Sequence, residues 1–306
     1  MLRGRRATAT VALTLVATTG VVYAVASRGE EVERALRLFP LWALFACAGL
    51  HLVTLIARSE AWRIALAAIE DRKLSRQVVH SANAGAYCAG ALMAHTSLPV
   101  RIALLRRLAG EDSPRVAQIV VTDLPIFLFE VFWACSLVAV TREPLVLPLA
   151  LLLLAGAGLI AHLLEDRPAA RGLAVLTQPR RRLALGAWVG VITLATTARL
   201  WLILALLLLP AQLPAVGTAF ASLGALGLVP AGPASQAAGG ATVAGEGALG
   251  AGLAAGLVFA ASALIAVLVY AAVLAAVTVA RSLTATPSAA EGSRFGARRV
   301  RPVTSR

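Results

Sequence analysis

Four ionisable side chains, Asp123, Glu130, Arg199 and Glu246, stand inside apolar runs of this chain. On insertion scales a charge at the centre of a membrane helix costs about 2.5–3.5 kcal/mol, so each is a functional candidate. Arg199 is the deepest, with sixteen apolar-run residues before it and ten after, and Thr193, Thr196 and Thr197 give its segment a polar face. A guanidinium in a low-dielectric cavity suits a phosphate, because its fork of N–H donors matches phosphate oxygens two at a time. Asp123 and Glu130 are seven residues apart with Phe127 between them, hence on one helical face, and are the expected counter-charges for Arg199 across the bundle. The alternative is a buried ion pair that only fixes helix register. Glu246, after a run of small residues, either lines a wet cavity or meets the outer solvent.

The elements that must hold these residues are set by composition. Of 306 residues 59% are hydrophobic and 14% charged, with a mean hydropathy of +0.82. A soluble domain has roughly 45–50% apolar residues, so a water-soluble enzyme is excluded. The net charge of +13 would suggest nucleic acid on a half-polar fold, but no such fold is present, and no nucleic-acid partner is expected. Lys73 is the only lysine, so 27 of the 28 basic residues are arginine. Cys47, Cys88 and Cys135 lie far apart in apolar stretches and read as packing residues. His51, His80, His95 and His162 show no metal-ligand spacing, and no glycine-rich loop precedes a Lys-Ser or Lys-Thr pair. No metal, cofactor or enzyme activity is therefore expected.

The expected fold is all-α: a polytopic transmembrane bundle with six full spans at 7–26, 39–56, 116–140, 144–164, 183–209 and 256–280. Two further regions, 78–98 and 213–255, are apolar but interrupted by polar residues, prolines and glycines, and read as broken or re-entrant. The division is a transmembrane domain over 1–281 and a disordered basic tail over 282–306. With the N-terminus cytoplasmic and each broken region returning to its own side, the cytoplasmic segments are 1–6, 57–77, 101–115, 165–182 and 281–306. They hold 23 basic residues against eight acids. The opposite loops balance Arg28, Arg34, Arg37 and Arg142 with Glu30, Glu31, Glu33 and Glu143. That asymmetry is the positive-inside pattern and places both termini in the cytoplasm of a cell-membrane protein. Arg3, Arg5 and Arg6, followed by an apolar run and Ala24-Val25-Ala26, also have the look of a secretory signal, although the run is longer than usual.

Two interrupted motifs stand out, His95-Thr96-Ser97-Leu98-Pro99-Val100-Arg101 and Leu228-Val229-Pro230-Ala231-Gly232-Pro233. Corresponding breaks in two halves point to a midplane site, since half-helix ends and unwound backbone offer unpaired N–H and C=O groups to a substrate. Trp62, in Arg58-Ser59-Glu60-Ala61-Trp62-Arg63, reads as an interfacial anchor, and Arg101, Arg106 and Arg107 read as cations lying on the anionic leaflet.

This layout resembles the flippase-like membrane family typified by the transmembrane half of lysylphosphatidylglycerol synthases. The resemblance is carried by Ala61-Trp62-Arg63, by Leu98-Pro99-Val100-Arg101 with Arg107 beyond it, by the acidic helix of Asp123, and by the late Pro- and Gly-rich break at 230–250. The chain departs from the family pattern at Ala103-Leu104, where the family has Gly-Glu, and at Pro233-Ala234-Ser235, with Glu246 displaced. The resemblance implies translocation of an anionic lipid or lipid-linked precursor, or a non-transporting scaffold beside a lipid-modifying enzyme, and implies no synthase activity. In the first reading membrane lipids are the partners, and Arg199, Asp123, Glu130, Arg101, His95 and Glu246 are the candidate substrate-binding residues.

Overall fold

The computed structural model describes residues 19–20, 22–70, 74–92, 96–110, 113–141, 144–164, 166–168, 170–212, 214–217, 220 and 248–284. Among them the chain is helical, with no strand: α1 Gly29–Leu38, α2 Leu41–Glu70, α3 Arg76–Leu92, α4 Ser97–Ala109, α5 Val116–Thr141, α6 Val146–Leu163, a 3-10 segment Ala170–Leu176, α7 Pro179–Leu206 and α8 Leu249–Thr284. Five of these helices, α2, α5, α6, α7 and α8, are long and apolar enough to cross a membrane. The protein is an all-α, multi-pass membrane protein. Of the span at 7–26 only residues 19–20 and 22–26 are described, and the Pro/Gly break at 228–233 and the basic tail after 284 lie outside the described residues.

Helices α5 and α6 fall where hydropathy puts them. α2 does not: it continues to Glu70, so 57–69 is packed in the core rather than solvated. Ala57, Ala61, Trp62, Ala65, Leu66 and Ile69 pack with Leu105, Ile119, Phe129, Leu176, Leu185 and Val189 in the largest buried cluster. The charges in this stretch are tolerated because α3 and α5 bring them partners, which a single-segment hydropathy reading cannot see.

The broken region at 78–98 forms a helical hairpin that returns to its own side. α3 and α4 lie close enough that a Cβ at Gly90 would stand 3.0 Å from the Ser97 Cβ, and one at Gly85 would overlap Leu104. α4 closes on Gly110, whose φ of +58° glycine adopts freely and whose N–H bonds the Arg106 carbonyl.

One face of the bundle gathers the ends of α2 and α8 and the starts of α3, α5 and α7. Arg181 Nη1 donates to the Ala67 carbonyl (2.6 Å), Gln77 Nε2 to Thr278 Oγ1 (3.1 Å), and Gln118 Nε2 to the Pro168 carbonyl (3.1 Å). Arg63, Arg76, Arg106, Arg107, Arg180, Arg181, Arg182 and Arg281 all belong to the helix ends gathered on this side. The opposite face carries α1, whose Val32 packs beside Leu253 and Val258 of α8. Its charges are balanced locally by the pairs Arg28 to Glu31 (2.8 Å) and Arg37 to Glu33 (2.5 Å).

Candidate functional site

The ionisable residues of the bundle interior sort into four groups strung along α2. Near the arginine-rich end, Trp62 of α2, Arg101 of α4 and Asp123 of α5 form one cluster. Arg101 Nη1 donates to both Asp123 oxygens, at 2.9 and 3.2 Å, and Trp62 Nε1–H donates to Asp123 Oδ1 at 2.5 Å. The Arg101 guanidinium also lies 4.6 Å from the Trp62 ring centroid, within cation–π range. Trp62 and Arg101 are buried, while the Asp123 side chain stays 41% exposed. Trp62 is thus a buried hydrogen-bond donor rather than an interfacial anchor, and Arg101 is a buried partner of Asp123 rather than a surface cation. Arg106 and Arg107 remain exposed. The residues quoted for the family resemblance in three separate stretches of sequence, Trp62, Arg101 and Asp123, meet at this point.

Two turns further along α5, Arg58 Nη2 of α2 donates to Glu130 Oε1. Their side chains are 38% and 24% exposed. Asp123 and Glu130 therefore share the face that the seven-residue spacing requires, and both are answered by α2. Glu130 lies fourteen residues past Val116, roughly 21 Å along a helix at 1.5 Å per residue, near the middle of α5. Phe127, between the two acids, is half exposed. A charged pair left open at this depth would be costly against hydrocarbon, so the strip between Asp123 and Glu130 is suited to water or a polar headgroup.

Arg199 stands apart from both acids, which corrects the expected pairing. It is 1% exposed and is held by neutral acceptors. Nε and Nη2 donate to Ser262 Oγ at 3.2 and 2.8 Å, Nη2 also donates to the Phe259 carbonyl, and Nη1 lies 2.8 Å from His51 Nδ1. The guanidinium carbon sits 3.6 Å from the Phe259 ring centroid. The acids are already paired with Arg101 and Arg58, and α7 meets α5 at Gly186 and Gly190, nine residues short of Arg199. Among the described residues no carboxylate pairs with Arg199, and all three of its nitrogens have protein partners.

The fourth group is absent from the sequence reading. Glu60 of α2, 1% exposed, accepts from Arg63 Nε (2.7 Å) and Arg76 Nε and lies 2.8 Å from His80 Nε2. His80 Nδ1 is 2.6 Å from the Tyr270 hydroxyl, which donates to Ser59 Oγ at 3.0 Å. The signal was present as lone polar residues in apolar helices: His80 in α3 and Tyr270 in α8. His95 and Glu246, also proposed as site residues, lie outside the described residues. Among the described residues no group of three or more His, Cys, Asp or Glu could hold a metal ion.

No protein-family model, curated protein or solved structure was found to match this chain.

Proposed function

We propose that this protein moves an anionic lipid, or a lipid-linked precursor, across the cell membrane, with the headgroup travelling in the strip between α2, α4 and α5. The carrying observation is the Arg58–Glu130 pair, partly exposed near the middle of a helix long enough to span a bilayer. Two ion pairs one heptad apart on α5, Arg101 with Asp123 and Arg58 with Glu130, give a headgroup successive places to exchange partners. Each arginine can turn from its carboxylate to a phosphate oxygen, and each carboxylate balances its arginine when no lipid is present. The aliphatic tails stay among exposed apolar side chains such as Leu124 and Phe127. The arginine-rich face supports a cytoplasmic placement of the chain termini and attracts anionic headgroups, at about 1 kcal/mol per basic residue near the surface. The short motifs resembling the flippase-like family supply part of this strip. Arg199, enclosed by its neutral partners, acts in this scheme only if α7 and α8 part.

The reading is tested in proteoliposomes with a fluorescent anionic phospholipid. Wild-type protein should speed its transfer between leaflets. Transfer no faster than in protein-free liposomes refutes translocation.

A further inference from the structure

The buried group on α2, α3 and α8 forms a line of hydrogen-bonding atoms: Glu60 Oε1, His80 Nε2 and Nδ1, the Tyr270 hydroxyl and Ser59 Oγ. Glu60, His80, Tyr270 and Ser59 are all at least nine-tenths buried. A neutral imidazole carries one N–H, so the direction of the hydroxyls decides where it sits. With Nε2–H donating to the Glu60 carboxylate, Nδ1 accepts from Tyr270, whose oxygen is then free to accept from Ser59. When a proton is added at Nδ1, the imidazolium donates at both ends. Tyr270 then accepts from Nδ1–H and donates to Ser59. The line from Glu60 to Ser59 holds one proton more or one fewer with its own hydrogen bonds kept, and the exchange along it needs only two hydroxyl hydrogens to rotate.

We propose that this array is a proton-binding site, loaded from the arginine-rich face, with His80 as the group that carries the proton. One proton is taken from a water molecule or hydronium at that face and forms the Nδ1–H bond; on release the same bond breaks. The groups that set its affinity come from every element touching it. Glu60 favours the charged imidazole, while Arg63 of α2 and Arg76 of α3, both bound to Glu60, oppose it. Tyr270 comes from α8, with the Tyr87 ring 6.2 Å from its own. α4 packs on α3 through Leu104 and Ser97 and brings no charged group into this array among the described residues.

The proton has a mechanical consequence. His80 and Arg76 meet the same oxygen, Glu60 Oε1. A charged imidazole competes with the Arg76 guanidinium for it, loosening the first residue of α3 and drawing the next turn toward α2. α3 leads into α4, which carries Arg101 to Asp123. This coupling rests on the translocation reading above; the proton site itself does not.

The test uses the full chain, labelled with 15N-histidine, in lipid nanodiscs. The His80 signal is identified by its loss in His80→Gln. Expected is conversion from one protonated ring nitrogen to two as the pH is lowered from the alkaline to the acid side. In Tyr270→Phe the midpoint moves to lower pH, because the imidazolium loses a charge-assisted hydrogen bond. A ring that stays neutral or stays charged throughout, or a midpoint unmoved in Tyr270→Phe, overturns the proposal. Tyr270→Phe is the informative variant even where Glu60→Gln fails to fold, since that change strands two arginines. In proteoliposomes a pH gradient should alter lipid transfer several-fold in wild type and leave His80→Gln unaffected. Transfer indifferent to the gradient while His80 titrates refutes the coupling alone; no transfer under any gradient while His80 titrates refutes translocation and leaves the proton site standing.

Discussion

Arg199 on α7 donates from two of its nitrogens to one hydroxyl, that of Ser262 on α8, at 3.2 and 2.8 Å. Among the described residues no carboxylate shares this charge, so the guanidinium depends on neutral acceptors. Removing an acceptor from a buried charge is worse than removing the charge itself, because the stranded ion keeps its desolvation penalty. Ser262→Ala should therefore destabilise the protein by about 1.5–3 kcal/mol. Arg199→Met, which fills similar volume without charge, should be closer to neutral. Thermal unfolding in detergent compares the two, and a larger loss in Arg199→Met would contradict the assignment.

Trp62 contributes both a ring and a donor to the Asp123 cluster, and the two are separable. Trp62→Phe keeps an aromatic face for Arg101 but removes the Nε1–H bond to Asp123. Bonds to charged groups contribute about 1.5–3 kcal/mol, so the loss in stability should fall in that range. Trp62→Ala also empties the site of a fully buried side chain, and should lie nearer the 3–5 kcal/mol typical of large aromatic deletions. No loss in Trp62→Phe would show that the indole N–H contributes nothing, and equal losses in the two variants would show that the ring contributes nothing beyond it.

The close approach of α5 and α7 depends on Gly186 and Gly190, four residues apart on one helical face. A Cβ at Gly186 would stand 2.9 Å from Phe129 Cε1, and one at Gly190 would stand 3.0 Å from Trp133 Cζ2. Trp133 Nε1–H also donates to the Gly186 carbonyl at 2.9 Å. Small residues at this spacing let membrane helices pack closely. Gly186→Ala is expected to lower stability by about 1–3 kcal/mol through overpacking, measured by the same unfolding assay. Gly158, whose added Cβ would meet nothing within 4 Å, should accept alanine with no loss, and an equal effect at both glycines would contradict the packing account.

Asn83 on α3 is fully buried, and neither its amide nitrogen nor its oxygen finds a partner among the described residues. An unsatisfied buried polar group costs about 1–3 kcal/mol. Asn83→Leu, with the same branching and number of heavy atoms and no polar group, should raise the thermal midpoint. A fall would show that the amide is satisfied by a group outside those residues.

Spans that face lipid on much of their surface were legible in the sequence: α5 and α6 fall where hydropathy puts them. So was the return of the α3–α4 hairpin, because a full crossing would have carried Arg101, Arg106, Arg107 and Arg115 to the wrong side. The end of α2 was hidden. Arg58, Glu60 and Arg63 read as the start of a solvated segment, and only partners on other helices, Glu130, His80 and Arg76, make them compatible with the core. The burial of Arg199 was legible, but its partners were not. α5 and α7 touch at Gly186 and Gly190, nine residues before Arg199, and that contact does not bring Arg199 to the acids. Asp123 and Glu130 share a face as their spacing demands, but spacing does not say that α2 and α4 would meet that face. The Glu60–His80–Tyr270–Ser59 line joins the consecutive helices α2 and α3 to α8, with Tyr270 190 residues beyond His80, and no local pattern announces it.

In the proposed function the partly exposed charges of Arg58 and Glu130 serve the passage of a headgroup rather than the fold. The double variant Arg58→Met/Glu130→Leu tests it most directly, since exchanging an ion pair for apolar side chains of similar volume is often neutral or stabilising. In proteoliposomes containing an anionic fluorescent phospholipid, the variant should fold with a thermal midpoint at or above that of wild type and transfer lipid at the protein-free rate. Wild-type transfer by the folded double variant would contradict the account.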